Sequence, residues 1–334
     1  MTFEVEGSAR AGAPPRPRVE GFDVLRLVCV VGVVVLHVAA QAQLVSGDAS
    51  LLAMSESMRW ATPTLFVISG FLAGSAPARG FFAALGRRAV RLLLPYAFWV
   101  AVYIAVASLV DRAPFPHLFD VVFLGGSQYS THLWFLTTLL ICVPVGLLLT
   151  NKYAALGAAL LGFGLLTIRY LTGWATPLDW PISLYYPFLN WLELYLIGVV
   201  LARWLGPAQL KSAPARWAAA PAFVLAVAMS AAVYWTVGGT SLLGYLALVA
   251  AAALLALAAR SMGSLPRQVQ VLCTTALGVY IVHPLFMAAF GRVVPVARLT
   301  PGMWVVSATI VVTVASILAT LALGRIPLLK RVVQ

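Results

Sequence analysis

The chain has 334 residues, 62% of them hydrophobic and only 10% charged, with a mean hydropathy of +0.96. Soluble domains run near roughly 45–50% apolar and about 25% charged, so a water-soluble globule is excluded and an integral membrane protein is indicated. The net charge of +12 sits mostly between apolar runs, which points to anionic lipid and topology rather than to nucleic acid.

Residues 1–20, rich in Pro, Arg and Ala, read as a disordered tail. Apolar runs of about 20 residues, the length that crosses a hydrocarbon core of ~30 Å, then follow one another. They predict ten helices, near 22–44, 56–75, 90–110, 131–150, 153–172, 187–206, 218–237, 240–259, 268–290 and 303–323. The basic start of the first run and its Ala39-Ala40-Gln41-Ala42 imitate a cleavable signal peptide. Polar residues inside that run, and nine further runs after it, favour a retained span. The fold class is therefore an all-α polytopic membrane protein. Residues 21–324 make one transmembrane domain, and 325–334 a short basic tail.

Orientation follows from the cations. With the N-terminus inside, sixteen Lys and Arg fall in inner loops and tails, against four (Arg59, Arg112, Arg292 and Arg298) in outer ones. Both termini are thus expected in the cytoplasm. Cys29, Cys142 and Cys273 all lie inside expected spans without CxxC spacing, so they read as inert core thiols.

The first span begins with Arg26 and carries His37 eleven residues later. On a helix that spacing is about 20° in azimuth and ~16.5 Å along the axis, so the two share a face at different depths. Snorkelling at a helix end would account for Arg26. A histidine at the depth of His37 costs free energy unless it faces a protein cavity, so function is its default reading. His283, Glu193 and His132 reach the same outer level by residue count, whereas His117 falls in an outer loop. A His paired with a carboxylate makes a general base, and Glu193 is the most evidently buried carboxylate. Three His and a Glu would also suit zinc, but no HExxH or comparable spacing is present, and no metal is expected. On the inner side, Arg79, Arg87, Arg88 and Arg91 crowd the loop before the third span. Either they touch lipid headgroups or they form a planar, bidentate phosphate site, and four arginines without a lysine favour the latter.

Five stretches in order, F-D-V-L-R-L-V-C-V-V-G-V-V-V-L-H, P-T-L-F-V-I-S-G-F-L, R-R-A-V-R-L-L-L-P-Y, H-L-W-F-L-T-T-L-L and G-V-Y-I-V-H-P, resemble the acyltransferase-3 family of bacterial membrane O-acyltransferases. The likeness covers essentially the whole chain. It implies a ten-helix enzyme of the bacterial inner membrane, with no permanently bound cofactor. Such an enzyme moves an acyl group, most often acetyl, from cytoplasmic acyl-CoA to a hydroxyl of an envelope glycan, glycolipid or secreted glycoside. The resemblance makes Arg26 and His37 essential, with His37 as candidate base, and puts Arg87, Arg88 and Arg91 on the donor side. His132, Trp134, Tyr280 and His283 fall in further family stretches. On this reading Glu193 or a backbone carbonyl orients His37, and Tyr280, His283 or Ser69 stabilises the oxyanion. Direct transfer and an acyl-His37 intermediate both stay open. Short outer loops and no appended esterase-like domain favour a lipid-linked or small glycan acceptor.

Some of these residues have plainer readings. Ser69-Gly70 suits close helix approach better than a catalytic serine. Pro284 kinks a helix and frees a carbonyl, and Trp134, Trp174, Trp180 and Trp191 form an interfacial belt. A transporter of a glycan or small metabolite is the rival function, since buried His and Glu also build proton relays. No internal repeat or matching pair of broken helices supports it.

Overall fold

The computed structural model describes residues 20–75, 80–117, 120–121, 129–172, 188–205, 242–260 and 265–333, with isolated positions between 221 and 232. Among the described residues every regular element is helical. In chain order these are α1 (Glu20–Ser46), α2 (Ala49–Ser57), α3 (Ala61–Gly74), α4 (Phe81–Val110), α5 (Trp134–Leu148), preceded by a 3₁₀ turn at Thr131–Leu133, α6 (Lys152–Thr172) and α7 (Phe188–Trp204). They continue as α8 (Leu242–Arg260), α9 (Arg267–Cys273), α10 (Ala276–Val293), α11 (Pro301–Leu323) and α12 (Pro327–Val333). Seven of them, α1, α4, α5 with its 3₁₀ turn, α6, α8, α10 and α11, are long and apolar enough to cross a membrane. The expected span at 218–237, and the expected tail over residues 1–19, fall largely or wholly outside the described residues.

Four boundaries differ from the sequence reading, each for a local reason. The expected span 56–75 begins as a helix only at Ala61, because a separate short helix, α2, precedes it: Gly47, at φ +72°, turns the chain back after α1, Asp48 caps α2 by accepting from Ser50 N–H at 2.9 Å, and the turn at Met58 and Arg59 ends it. α2 then packs along α1, where the Ser55 hydroxyl donates to the Leu36 carbonyl at 3.2 Å. The third span begins at Phe81 rather than 90, so Arg87, Arg88 and Arg91 are helical and not in a loop. Charge marks the edge of the lipid, but Ala, Leu and Arg are strong helix formers and carry α4 through it.

The expected ninth span breaks into α9 and α10 at Thr274 and Thr275. Their hydroxyls donate to the carbonyls of Val271 and Leu272, both at 2.7 Å, which competes with helix continuation. Residues 327–333, within the expected basic tail, form α12. Lys330 and Arg331 face outward while Val332 and Val333 are buried, and the Trp99 indole N–H holds the Val332 carbonyl at 2.9 Å.

α3 and α7 are the tightest pair, although both are shorter than the seven segments long and apolar enough to cross a membrane. α3 is buried along almost its whole length. A Cβ on Gly70 would lie 1.9 Å from the Tyr195 carbonyl oxygen, and one on Gly198 would lie 2.0 Å from that of Val67. Reciprocal glycines thus let two backbones touch, the device by which helices associate where lipid removes the hydrophobic drive. Gly157 on α6, by contrast, faces open space. Gly198→Ala is expected to cost at least about 1–3 kcal/mol, since the obstacle is backbone. Gly157→Ala should be neutral or stabilising by up to ~1 kcal/mol. Thermal unfolding of the two variants in detergent separates these outcomes, and equal melting temperatures would disprove the contact.

Candidate active site

The site is assembled around one turn of α10. Pro284 has no N–H, so the Tyr280 carbonyl four residues earlier has no intrahelical donor. The His283 ring supplies one, with Nδ1 lying 2.7 Å from the Tyr280 oxygen and 3.2 Å from that of Val279. A carbonyl only accepts, so Nδ1 carries the proton and the neutral ring turns an Nε2 lone pair inward. His283 is wholly buried, and that Nε2 has no hydrogen-bond partner among the described residues.

The next carbonyl, that of Ile281, collects two donors. Tyr103 of α4 gives its hydroxyl at 2.5 Å, and His132 lies with Nε2 at 3.2 Å. Tyr280 in turn donates its hydroxyl to the His132 carbonyl. Three segments far apart in the chain, α4, the 3₁₀ turn and α10, are thereby fixed to one another through buried backbone. In lipid a carbonyl left open has no water to turn to, so these buried donors favour the arrangement that brings the three segments together.

Three histidine rings meet at this knot. Ring centroids lie 5.4 Å apart for His37 and His283, with planes tilted 31°, and 5.2 Å apart for His132 and His283. His132 is held by the backbone and is 4% exposed. His37 is half-buried, and neither of its nitrogens is hydrogen-bonded to a described residue. Among the described residues no three His, Cys, Asp or Glu side chains are grouped to hold a metal.

The other residues named from sequence are placed as follows. Arg26 lies on the same unbroken helix as His37, half-exposed and paired with Asp23 at 3.2 Å. Glu193 is buried, but its carboxylate faces Gly162 of α6, where an added Cβ would lie 2.2 Å from Oε2. Two residues along a helix rotate by about 200°, so Glu193 points away from Trp191, which faces α3 and α5. The contacts of Glu193 lie with α6 and not with the histidine rings. Ser69 gives its hydroxyl to Leu65 of its own helix at 2.7 Å. Tyr280, whose hydroxyl is committed to His132, is a positioning group.

Trp134 packs against Trp191, with ring centroids 4.9 Å apart and planes tilted by 44°, and stacks with Phe66 at 6.3 Å. Phe135, beside them, reaches Tyr280 at 5.5 Å. Trp191 is 3% exposed, so it belongs to the interior and not to a lipid-facing belt. Trp174 and Trp180 lie outside the described residues, as does Arg79. Near the start of α4, Arg87 and Arg91 are exposed on one face, while Arg88 is half-buried and lies within electrostatic reach of Tyr195. Arg88 and Tyr103 are fifteen residues apart on α4, about 22 Å at 1.5 Å per residue.

Sequence reasoning missed Tyr103 and a clasp at the ends of α4 and α10. Arg292, at the end of α10, donates to Asp111 at 2.8 Å and to the Tyr129 hydroxyl at 3.0 Å, and Tyr129 donates to Asp111 at 2.5 Å. Burial, and then the Asp111 carboxylate, push the Tyr129 phenol above its ordinary range, so it stays neutral. The clasp ties the ends of α4 and α10 to the segment that carries His132. A tyrosine in an apolar run was the only signal for Tyr103, whose polar tip has to find a partner once buried.

A family profile described as an acyltransferase domain matches residues 19–322. The chain belongs to the acyltransferase-3 family. No curated protein and no solved structure matches it. This acyltransferase is therefore a multi-pass membrane protein whose histidine knot lies within the matched region. Pro284→Ala would return an N–H to compete for the Tyr280 carbonyl. ¹⁵N spectra of histidine-labelled protein should then show the His283 ring leaving its single Nδ1–H tautomer. An unchanged tautomer in a folded variant would show that the missing N–H is not what sets it.

Proposed function

We propose that this acyltransferase moves an acyl group, most simply acetyl, from cytoplasmic acyl-CoA to a hydroxyl of an envelope glycan, glycolipid or secreted glycoside. The observation that carries this reading is His37. It is a membrane-embedded imidazole with both nitrogens unclaimed by described residues, against a second ring whose tautomer is locked, on the same helix face as Arg26. The reading includes ten spans, cytoplasmic termini and a place in the bacterial inner membrane.

In this scheme Arg87, Arg88 and Arg91 face the cytoplasm and take the phosphates of CoA by charge-assisted, bidentate hydrogen bonds. The pantetheine arm runs inward along α4 and brings the thioester to the rings, over the ~22 Å that separate Arg88 from Tyr103. The acceptor arrives from the opposite side. His37 takes the proton of its hydroxyl as the oxygen attacks the thioester carbon. Collapse of the tetrahedral intermediate breaks the carbon–sulfur bond, and the proton passes from His37 to the departing thiolate. The products are the ester and CoA–SH. His132, Tyr280 and Tyr103 keep the rings in register without entering the chemistry, and Arg26 holds the donor side of the same helix face.

Release of CoA from acetyl-CoA, with and without an envelope glycan extract, tests the scheme. His37→Ala is expected to reduce acceptor-dependent release by about 10²–10⁴-fold with its melting temperature retained. Arg88→Ala should instead raise the KM for acetyl-CoA by about tenfold or more. Equal turnover by His37→Ala and wild type would remove His37 from the reaction, and an unchanged KM in Arg88→Ala would remove the arginines from the donor site.

A further inference from the structure

Gln41 follows His37 by one helical turn on the unbroken α1, so the two side chains share a face, with Gln41 farther from Arg26. Its amide nitrogen lies 3.5 Å from the place a Cβ would take on Gly291 of α10, the helix that also carries His283. Its amide oxygen is buried and has no hydrogen-bond partner among the described residues. A buried acceptor without a donor is a net cost to the fold, and a site tolerates it where a ligand supplies the donor.

The same is true of His283 Nε2, a lone pair without a donor, and His37 is likewise uncommitted. Along one side of the α1–α10 contact, then, the protein offers acceptors that lack donors. A ligand with one hydroxyl would satisfy only the base. A carboxylate or an ether brings no O–H and would leave the set unfilled. A polyhydroxylated ring brings several O–H groups at fixed spacing.

We propose that Gln41 is an acceptor-binding residue whose amide oxygen takes a hydrogen bond from a second hydroxyl of the substrate, so that the site selects a polyol ring over an isolated alcohol. This rests on the acyl-transfer reading and adds to it the residue that discriminates between acceptors. Gln41 lies beyond His37 on the side away from the arginines, where the acceptor rather than CoA would lie. Its amide then sets which ring hydroxyl is presented to His37.

The test uses the full chain in phosphatidylcholine nanodiscs, with radiolabelled acetyl-CoA as donor. The acceptors are octyl β-D-glucopyranoside and its four monodeoxy derivatives. Wild type is expected to lose about tenfold to hundredfold in kcat/KM with one derivative that still carries the acetylated position. In Gln41→Met, which keeps the length and loses the acceptor, that penalty should shrink to about threefold or less, with the KM for acetyl-CoA unchanged. Gln41→Met should also melt at or above the wild-type temperature, since an orphan polar group has gone.

A penalty that persists in Gln41→Met, or is absent from the wild type, overturns the assignment and leaves acyl transfer intact. A lower melting temperature would show that the amide already has a partner in the fold, and overturns it too. Wild type that binds acetyl-CoA but labels none of the five glucosides overturns the proposed acceptor chemistry. Wild type that neither binds acetyl-CoA nor transfers label defeats the acyl-transfer reading itself, and the proposal falls with it.

Discussion

A single missing hydrogen governs the interior of this acyltransferase. Because Pro284 has no N–H, one carbonyl of α10 is left open where no water can reach it, and the His283 ring closes it. Tyr103 and His132 converge on the next carbonyl along, so α4 and the 3₁₀ turn are bound to the same spot. Backbone oxygens, not carboxylates, orient these rings. Carbonyl partners fix a tautomer without adding charge, which in a low-dielectric interior spares the desolvation of an ion pair.

The rest of the bundle keeps two chemically different zones at opposite ends of the same helices. α1 joins Arg26 to His37, and α4 joins Arg88 to Tyr103. Helices are suited to this because their rise is fixed, so a charged end and a ring-bearing interior stay at constant separation. Exposed ionic contacts such as the Arg292, Asp111 and Tyr129 clasp hold the far ends of α4 and α10 together, where water screens them and their failure would be local.

Much of this was legible in the sequence, and the failures share a cause. Length and hydropathy gave the helices, and a constant rise per residue placed His37, His132 and His283 at one level, where their rings do meet. Depth says nothing about azimuth, however. By residue count Glu193 is expected at the same level, but its carboxylate lies on the side of α7 that faces α6. Charge was read as the end of a helix at Arg87, Arg88 and Arg91, whereas it ends only the contact with hydrocarbon. The clasp joins residues that no local pattern relates, and the break before α10 depends on two threonine hydroxyls turning back on their own chain.

The glycine contact between α3 and α7 sets an order of assembly. α3 is short, and nearly every face of it is covered by protein. Its seat, the backbone around Tyr195, is synthesised long after α3 itself. During synthesis, α1 and α2 must therefore wait beside a helix whose socket does not yet exist. Completion of this bundle is a late, long-range closure, and a chain stalled before α7 would present α3 as an unfilled surface to quality-control proteases.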